Sequence, residues 1–377
     1  MKKWILTSAA IVLLLIVGAS IVIQQNTQSP EEAVKEFDKA VSTKDTDLLS
    51  ELIVPDNEKA QVNKTSLQAF ANYLQSNSSS LEAIEDNLDE QLKEKNFTET
   101  SSQVSLVEDG KKLLFFPKYK FEVKTMELAI TGEQEGEKVT LSSNGFKKGL
   151  PKEKDSLYGP FLPGEYTFKL SVKTDLATFI EDRKKELWGT GKTSLLIDSE
   201  KMAQSDEKVK KDLVSAVELF NKDFSRYETS EFQLSTFSNA TQELKSAESN
   251  YGEGFEEIKD ALDEIQSQYE GGVVDLDSLV VSYFDGKWKA NASAAVSYMN
   301  KVKVSGGKEF EDLSYGALRD YQLVYSSEKK QWLIDGMDEY DYDDDEVENW
   351  EYTQETNPHN PVFKWTRDGK KDEGSYY

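Results

Sequence analysis

The spacing of hydrophobic positions changes character several times along this chain. Trp4 to Ile23 is an uncharged run of 20 residues behind Lys2 and Lys3. At the helical rise it covers about 30 Å, the thickness of a bilayer's hydrocarbon core, so it predicts a membrane helix. The lysines precede the span, which leaves residues 1–3 as a cytoplasmic stub and the rest of the chain outside. A cleaved signal peptide is the alternative, with Val17-Gly18-Ala19 as the small-residue site and cleavage after Ala19. The apolar run continues through Ile21, Val22 and Ile23, which favours an uncleaved anchor over residues 4–23. The expected localisation is therefore the cell membrane, single-pass, with the C-terminus extracellular and the membrane as one partner.

Helical spacing begins at residue 29. Ser29-Pro30-Glu31-Glu32 reads as a helix start, with Ser as N-cap, Pro at the first helical position and Glu three residues after the cap. Ala33, Val34, Phe37, Ala40 and Val41 follow at helical intervals. Leu48 to Ile53, ended by Pro55, predicts a second helix. Leu67, Phe70, Ala71 and Leu74 predict a third, and Leu81, Ile84, Leu88 and Leu92 a fourth. Residues 29–95 are thus expected to form a small helical domain whose apolar stripes are core.

After Asn96 the period shifts to two. Val104 to Val107 and Leu113 to Phe116 flank Glu108-Asp109-Gly110-Lys111, a hairpin signal. Tyr119, Phe121 and Val123 alternate with charged residues, Asn144-Gly145 marks a turn, and Tyr166, Phe168, Leu170 and Val172 alternate with polar residues. That pattern predicts a sheet with one buried face, and a β-rich domain over 96–200.

From Ser205 the helical period returns. Val209, Leu213, Val217, Phe220 and Phe224 predict a long amphipathic helix. Leu244, Ile258, Leu262 and Ile265 predict a second helical stretch, interrupted near Gly252 and Gly254. Hairpins follow: Val280–Phe284 with Lys287–Ala292 around Asp285-Gly286, and Tyr321–Tyr325 with Gln331–Ile334. Helices followed by antiparallel strands predict an α+β domain over 205–337. Residues 338–351 hold nine acidic and no basic residues, so 338–377 is expected to be a solvated acidic tail.

Composition narrows the functional classes. Of 377 residues, 70 are acidic and 45 basic, a formal charge of −25, with one His and no Cys. Thiolate chemistry, disulfides, Cys-ligated zinc and multi-His metal sites are excluded. The charge argues against nucleic acid as a partner, because phosphate binding needs a basic face.

The helical segment from Ser29, followed by Tyr158-Gly159-Pro160-Phe161-Leu162-Pro163-Gly164-Glu165-Tyr166, resembles the extracellular part of the TcaA/YvbJ family of Gram-positive membrane-anchored envelope proteins. The Gly-Pro-x-x-Pro-Gly-x-Tyr stretch is the sharpest point of likeness. The resemblance covers roughly 29–337 and is strongest over 29–172. It implies that 205–337 is a nuclear-transport-factor-2-like domain, an α+β cone at the end of a multidomain ectodomain. It also implies a link to glycopeptide susceptibility, with no assigned reaction. Relatives commonly carry a Cys-rich zinc ribbon before the span. This chain has no Cys, so no function of that module carries over.

Gly189-Thr190-Gly191-Lys192-Thr193-Ser194 resembles a phosphate loop, but the Gly required five residues before Gly191 is Glu186, so no nucleotide is expected. Ser205-x-x-Lys208 and Ser326-x-x-Lys329 match the first element of penicillin-binding enzymes, yet no Lys-Thr/Ser-Gly triplet accompanies them. Asp341, Asp343 and Asp345 match the first ligands of a calcium loop, but Glu346 replaces the required Gly and Tyr352 the twelfth-position Glu. They are at most weak metal candidates in the tail. Tyr283, Tyr298, Tyr325 and Asp285 are candidate cavity-lining residues of the cone; plain core and rim packing explains them equally well. No catalytic residue and no cofactor are expected. The reading is a non-enzymatic envelope protein that binds or senses a cell-wall polymer or envelope partner, with a passive scaffold or an exported enzyme using the cone as alternatives.

Overall fold

The computed structural model describes residues 28–112, 116–146, 148–189, 191–247, 250–357 and 359–369. The apolar run Trp4–Ile23 lies outside the described residues, as does the end of the acidic segment. Among the described residues no helix is long and apolar enough to cross a membrane. The chain divides into two compact units. The first comprises 28–133, 139–171 and 180–197; the second comprises 134–138, 172–179 and 198–369.

The first unit opens with four helices, α1 (Pro30–Thr43), α2 (Thr46–Leu52), α3 (Lys64–Ser76) and α4 (Ser78–Glu94). The expected start is present: Ser29 Oγ accepts from the Glu32 amide, and the Glu32 carboxylate accepts from the Ser29 amide. A three-stranded sheet follows, β1 (Ile53–Pro55), β2 (Val104–Lys112) and β3 (Phe116–Val123), in the order β1-β3-β2. It does not belong to a separate β domain. Phe121 of β3 stacks on Phe37 of α1 at 4.3 Å, and Val104 and Leu106 join the helices' core. The expected boundary at residue 96 is therefore corrected: the apolar faces of α1 and α3 need a cover, and β2 and β3 supply it. Buried Gln91 fastens the join, donating to the Leu106 carbonyl at 2.9 Å and accepting from its amide at 2.8 Å.

The expected turn at 108–111 is also displaced. Strand β2 runs on to Lys112, which pairs with Phe116, and the register shifts between Glu108 and Lys111. Gly110, at φ +76°, supplies the left-handed conformation that shift needs.

Two further sheets, lying in the first unit except for the ends of three strands, are built from β4 (Met126–Thr131), β5 (Lys138–Ser142), β6 (Lys152–Lys154), β7 (Leu157–Phe161), β8 (Gly164–Lys173), β9 (Thr178–Leu187) and β10 (Gly191–Leu196). Their orders are β10-β4-β7-β6 and β5-β8-β9. Strand β8 alternates buried and exposed positions as its sequence predicts.

The second unit contains α5 (Ser199–Ser205), α6 (Glu207–Glu228), α7 (Gln242–Ala247) and α8 (Asn250–Ile258). Its strands are β11 (Leu262–Phe284), β12 (Lys287–Val304), β13 (Glu311–Asp312), β14 (Tyr315–Ser326) and β15 (Gln331–Asp341). Leu262 and Ile265, expected on a helix, open β11 instead and pack with Phe255 of α8. Their spacing fits either period, and pairing with β12 decides it. The Asp285-Gly286 turn is as expected, both residues at positive φ. The main sheet runs β15-β14-β12-β11, and register shifts in the β11–β12 pair bend it. Val209, Leu213, Val217 and Phe220 of α6 pack with Trp288, Tyr321 and Trp332 of the sheet.

The solvated tail is corrected as well. Past Asp341 come α9 (Asp344–Glu348), β16 (Thr353–Glu355) and β17 (Phe363–Thr366); both strands pair with β11. Thr356 lies inward of the acidic run, and its hydroxyl bonds the Tyr269 hydroxyl at 2.7 Å.

Candidate functional site

The Gly-Pro-x-x-Pro-Gly-x-Tyr stretch builds a cleft in the first unit. Gly164, at φ +155°, sits so close to α3 that a Cβ there would fall 2.6–2.8 Å from backbone atoms of Ala69 and Phe70. Gly145, at φ +93°, approaches the Thr65 side chain as closely. These two contacts bring the β5-β8-β9 sheet against the helix. Tyr166, two residues on, forms the floor: its hydroxyl donates to the Leu162 carbonyl at 2.8 Å, and complete burial pushes its phenol well above the ordinary range. Phe161 and Phe168 pack at 5.7 Å from its ring.

The resulting cleft has a volume of about 580 Å³. Helix α3 contributes Lys64, Thr65, Gln68 and Asn72, one face at helical spacing. The opposite wall is Ser142, Ser143 and Asn144, then Thr167 and Lys169 of β8. Asn63 caps α3, its side-chain oxygen accepting from the amides of Thr65 and Ser66. Gln68 donates to Asn72 at 3.0 Å, and Ser143 Oγ donates to the Thr167 carbonyl at 2.9 Å, so several polar groups are already oriented. Lys64 and Lys169 are matched by Glu165 and Asp182, leaving the lining formally neutral. Such a surface offers many fixed donors and acceptors without a strong field of either sign.

The sequence-predicted candidates are not gathered there. Tyr298 is buried inside the second unit, where its hydroxyl donates to Asn221 Oδ1 at 2.7 Å and accepts from Arg319 at 2.8 Å. Tyr321 donates to the same oxygen at 2.9 Å. These side chains occupy the interior of the cone. Arg319, wholly buried, also pairs with Glu339 at 2.7 Å and lies 4.5 Å over the Phe224 ring. Tyr325 packs edge-on against Trp332, Asp285 stands in the hairpin turn, and Tyr283 lines a different recess. Asn221 and Arg319 carried no sequence signal beyond being polar residues within apolar patterns.

The motif candidates resolve locally. Lys192 to Ser194 lie in β10, parallel to β4, where a phosphate loop would open a helix. Lys208 pairs with Asp212 at 2.5 Å, and Lys329 sits in the β14–β15 turn. Asp341 ends β15, whereas Asp343 caps α9 by accepting from the amides of Asp345 and Glu346. Among the described residues no group of three or more His, Asp or Glu is placed to hold a metal ion.

Comparison with known proteins bears on both units. Residues 30–123 match the TcaA protein second domain, ending at the sheet that closes the helical core. Residues 213–338 match the YvbJ NTF2-like domain. The chain is similar to an uncharacterized membrane protein, YvbJ of Bacillus subtilis (strain 168), at 25% identity over 172 residues. That stretch is 45% of this chain and 27% of the relative, so the chain spans about a quarter of the relative's length. No solved structure matches. A match to the TcaA second domain and a match to the YvbJ NTF2-like domain on one polypeptide support the TcaA/YvbJ family.

Proposed function

We propose that this is a membrane-associated envelope protein, anchored through Trp4–Ile23, whose extracellular part binds an uncharged, hydroxyl- and amide-rich wall component in the cleft beside α3. The observation that carries the reading is the lining itself: Thr65, Gln68, Asn72, Ser143, Asn144 and Thr167 around about 580 Å³, with two positive and two negative side chains in balance. A carbohydrate chain exchanges bonds to water for bonds to protein, which rewards many oriented neutral groups. A polyanion such as teichoic acid would instead meet a chain of charge −25 and a cleft with no net positive charge. The proposal assigns binding, and no reaction.

A scaffolding role is the second reading, favoured by the side chains that fill the interior of the second unit. The test is retention of the full chain, in detergent, on purified neutral wall glycan, teichoic acid and membrane extract. Retention on neutral glycan that falls in Gln68→Ala and Asn72→Ala supports the cleft. Retention on none of these supports the scaffold and overturns the binding role. The anchor is tested separately, by alkaline extraction of membranes and external protease on intact cells. A soluble mature form beginning at Ser20 overturns it.

A further inference from the structure

Asn144-Gly145 is the only Asn-Gly pair in the sequence, and Asn144 stands on the wall of the cleft. Packing fixes the second member of the pair. Gly145 holds φ +93°, and a Cβ there would fall 1.7 Å from Thr65 Oγ1, so glycine is what closes this turn against α3. Asn144 is exposed and gives the lining a carboxamide, with two N–H donors and an acceptor oxygen. Among the described residues, none bonds the Asn144 carboxamide or the Gly145 amide nitrogen. Other asparagines are held. Asn77, which precedes Ser78, donates to the Tyr73 carbonyl at 3.0 Å. The buried Asn221 and Asn239 also donate to main-chain carbonyls.

A free carboxamide followed by an uncrowded amide is arranged for ring closure. The Gly145 nitrogen gives its proton to solvent base and attacks Asn144 Cγ. A C–N bond forms there, and the side-chain nitrogen takes a proton from water and leaves as ammonia. The resulting succinimide is opened by water, which adds to either ring carbonyl and breaks that carbon's bond to the ring nitrogen. The products are aspartate and isoaspartate. The sum is a carboxamide plus water giving a carboxyl group plus ammonia, and nothing is oxidised or reduced. Glycine favours the attack because no side chain crowds its nitrogen. Exposure supplies the water and leaves the Asn144 side chain free to rotate.

Either product exchanges the two N–H donors for a carboxylate, which only accepts. The lining balances Lys64 and Lys169 against Glu165 and Asp182, so the new group leaves it with one excess negative charge. Isoaspartate also adds a methylene to the main chain beside the Thr65 contact.

We infer that Asn144-Gly145 is a site of spontaneous deamidation, and that the reaction turns the charge-balanced cleft anionic. The reaction is independent of the proposed binding role, whereas its effect on a ligand rests on that reading.

The experiment ages the full chain in detergent at mildly alkaline pH and follows the tryptic peptide 139–147 by mass spectrometry. The expected gain is about 1 Da, in two separable products, one of them isoaspartyl. Its rate in the folded chain should lie within roughly fivefold of that in the urea-unfolded chain, since local protection at this turn is low. Asn144→Gln keeps a carboxamide and should abolish the gain. Three results would overturn the inference: an unchanged peptide in the folded chain while the unfolded chain converts, a product without isoaspartate, or the same gain in Asn144→Gln. Retention on neutral wall glycan is read on the same samples. The aged chain and Asn144→Asp should each be retained about fivefold less than fresh protein. Deamidation with unchanged retention overturns the effect on the cleft. A fresh chain that is not retained overturns the binding reading and the ligand effect with it, while the mass result still decides the modification.

Discussion

Arg319 Nη1 donates to Asn221 Oδ1 at 2.7 Å, joining strand β14 to helix α6 across 98 positions of chain. The same oxygen accepts from Tyr298 and Tyr321, and the Asn221 amide nitrogen donates to the Val217 carbonyl at 2.8 Å. One small side chain thus satisfies a guanidinium and two phenols in an otherwise apolar interior. A buried cation is tolerable only where such partners surround it.

Asn221→Leu keeps the branched heavy-atom skeleton and removes the shared acceptor. Arg319 and both tyrosine hydroxyls then lose a partner, for an expected loss of about 3–5 kcal/mol. Urea unfolding of the variant checks this. A loss below about 1 kcal/mol would show that the network does not hold the helix to the sheet.

Glu228, at the end of α6, gives the second unit a pH dependence. Burial raises its pKa above the ordinary carboxylate value, outweighing its bonds from Ser267 and Asn300 and the attraction of Arg319. The folded state therefore holds this proton more tightly than the unfolded state. Stability contributed by that difference is present below the unfolded value near 4.5 and declines as pH rises through the higher folded value. Glu228→Gln removes the titration and keeps the contacts, since the buried and unpartnered Asn300 Oδ1 can accept from the new amide. Its stability between pH 4 and 8 should be flatter than that of the parent, and higher at the upper end, by thermal unfolding at each pH.

Two glycines separate backbone strain from steric clash. Gly164→Ala places a methyl against the backbone of α3 and should cost about 3 kcal/mol, loosening the cleft. Gly110→Ala has nothing within 4 Å and meets only the cost of its positive φ, about 1 kcal/mol. Equal losses in the two variants would mean that Gly164 does not pin the sheet to the helix.

The charge balance of the cleft predicts a salt response. Binding of a neutral wall glycan should change less than about twofold between 0.05 and 0.5 M sodium chloride, because the lining carries two positive and two negative side chains, Lys64 and Lys169 against Glu165 and Asp182 in number. A steep decline with salt, measured on the same ligand, would point to a phosphate-bearing contaminant as the species bound.

The acidic segment calls for care in any truncation experiment. Removing residues from Asp338 onward would take away the end of β15 and both strands that cover β11. Loss of function in such a deletion would report unfolding of the sheet, so charge is better tested by Asp344→Asn and Asp345→Asn at the exposed start of α9.

Local chemistry was enough to specify much of this protein. The capping box at Ser29, the stripes of α3, α4 and α6, the alternation along β8 and the Asp285-Gly286 turn were all legible, because each depends on neighbours within a few residues. The Gly159–Tyr166 stretch could be seen as a bend, but its partner could not, since Ala69 lies far away in the chain and is an ordinary helical residue. The same holds for the cover that β2 and β3 place on the helices, for Leu262 and Ile265 exchanging a helix for a strand, and for the acidic run ending in two paired strands. In each case the deciding contact is long-range, and apolar spacing says only that a face must be buried, never by what. The cleft belongs wholly to this second category. Its walls come from segments distant in sequence, and its polar residues acquire meaning only when tertiary packing sets them side by side.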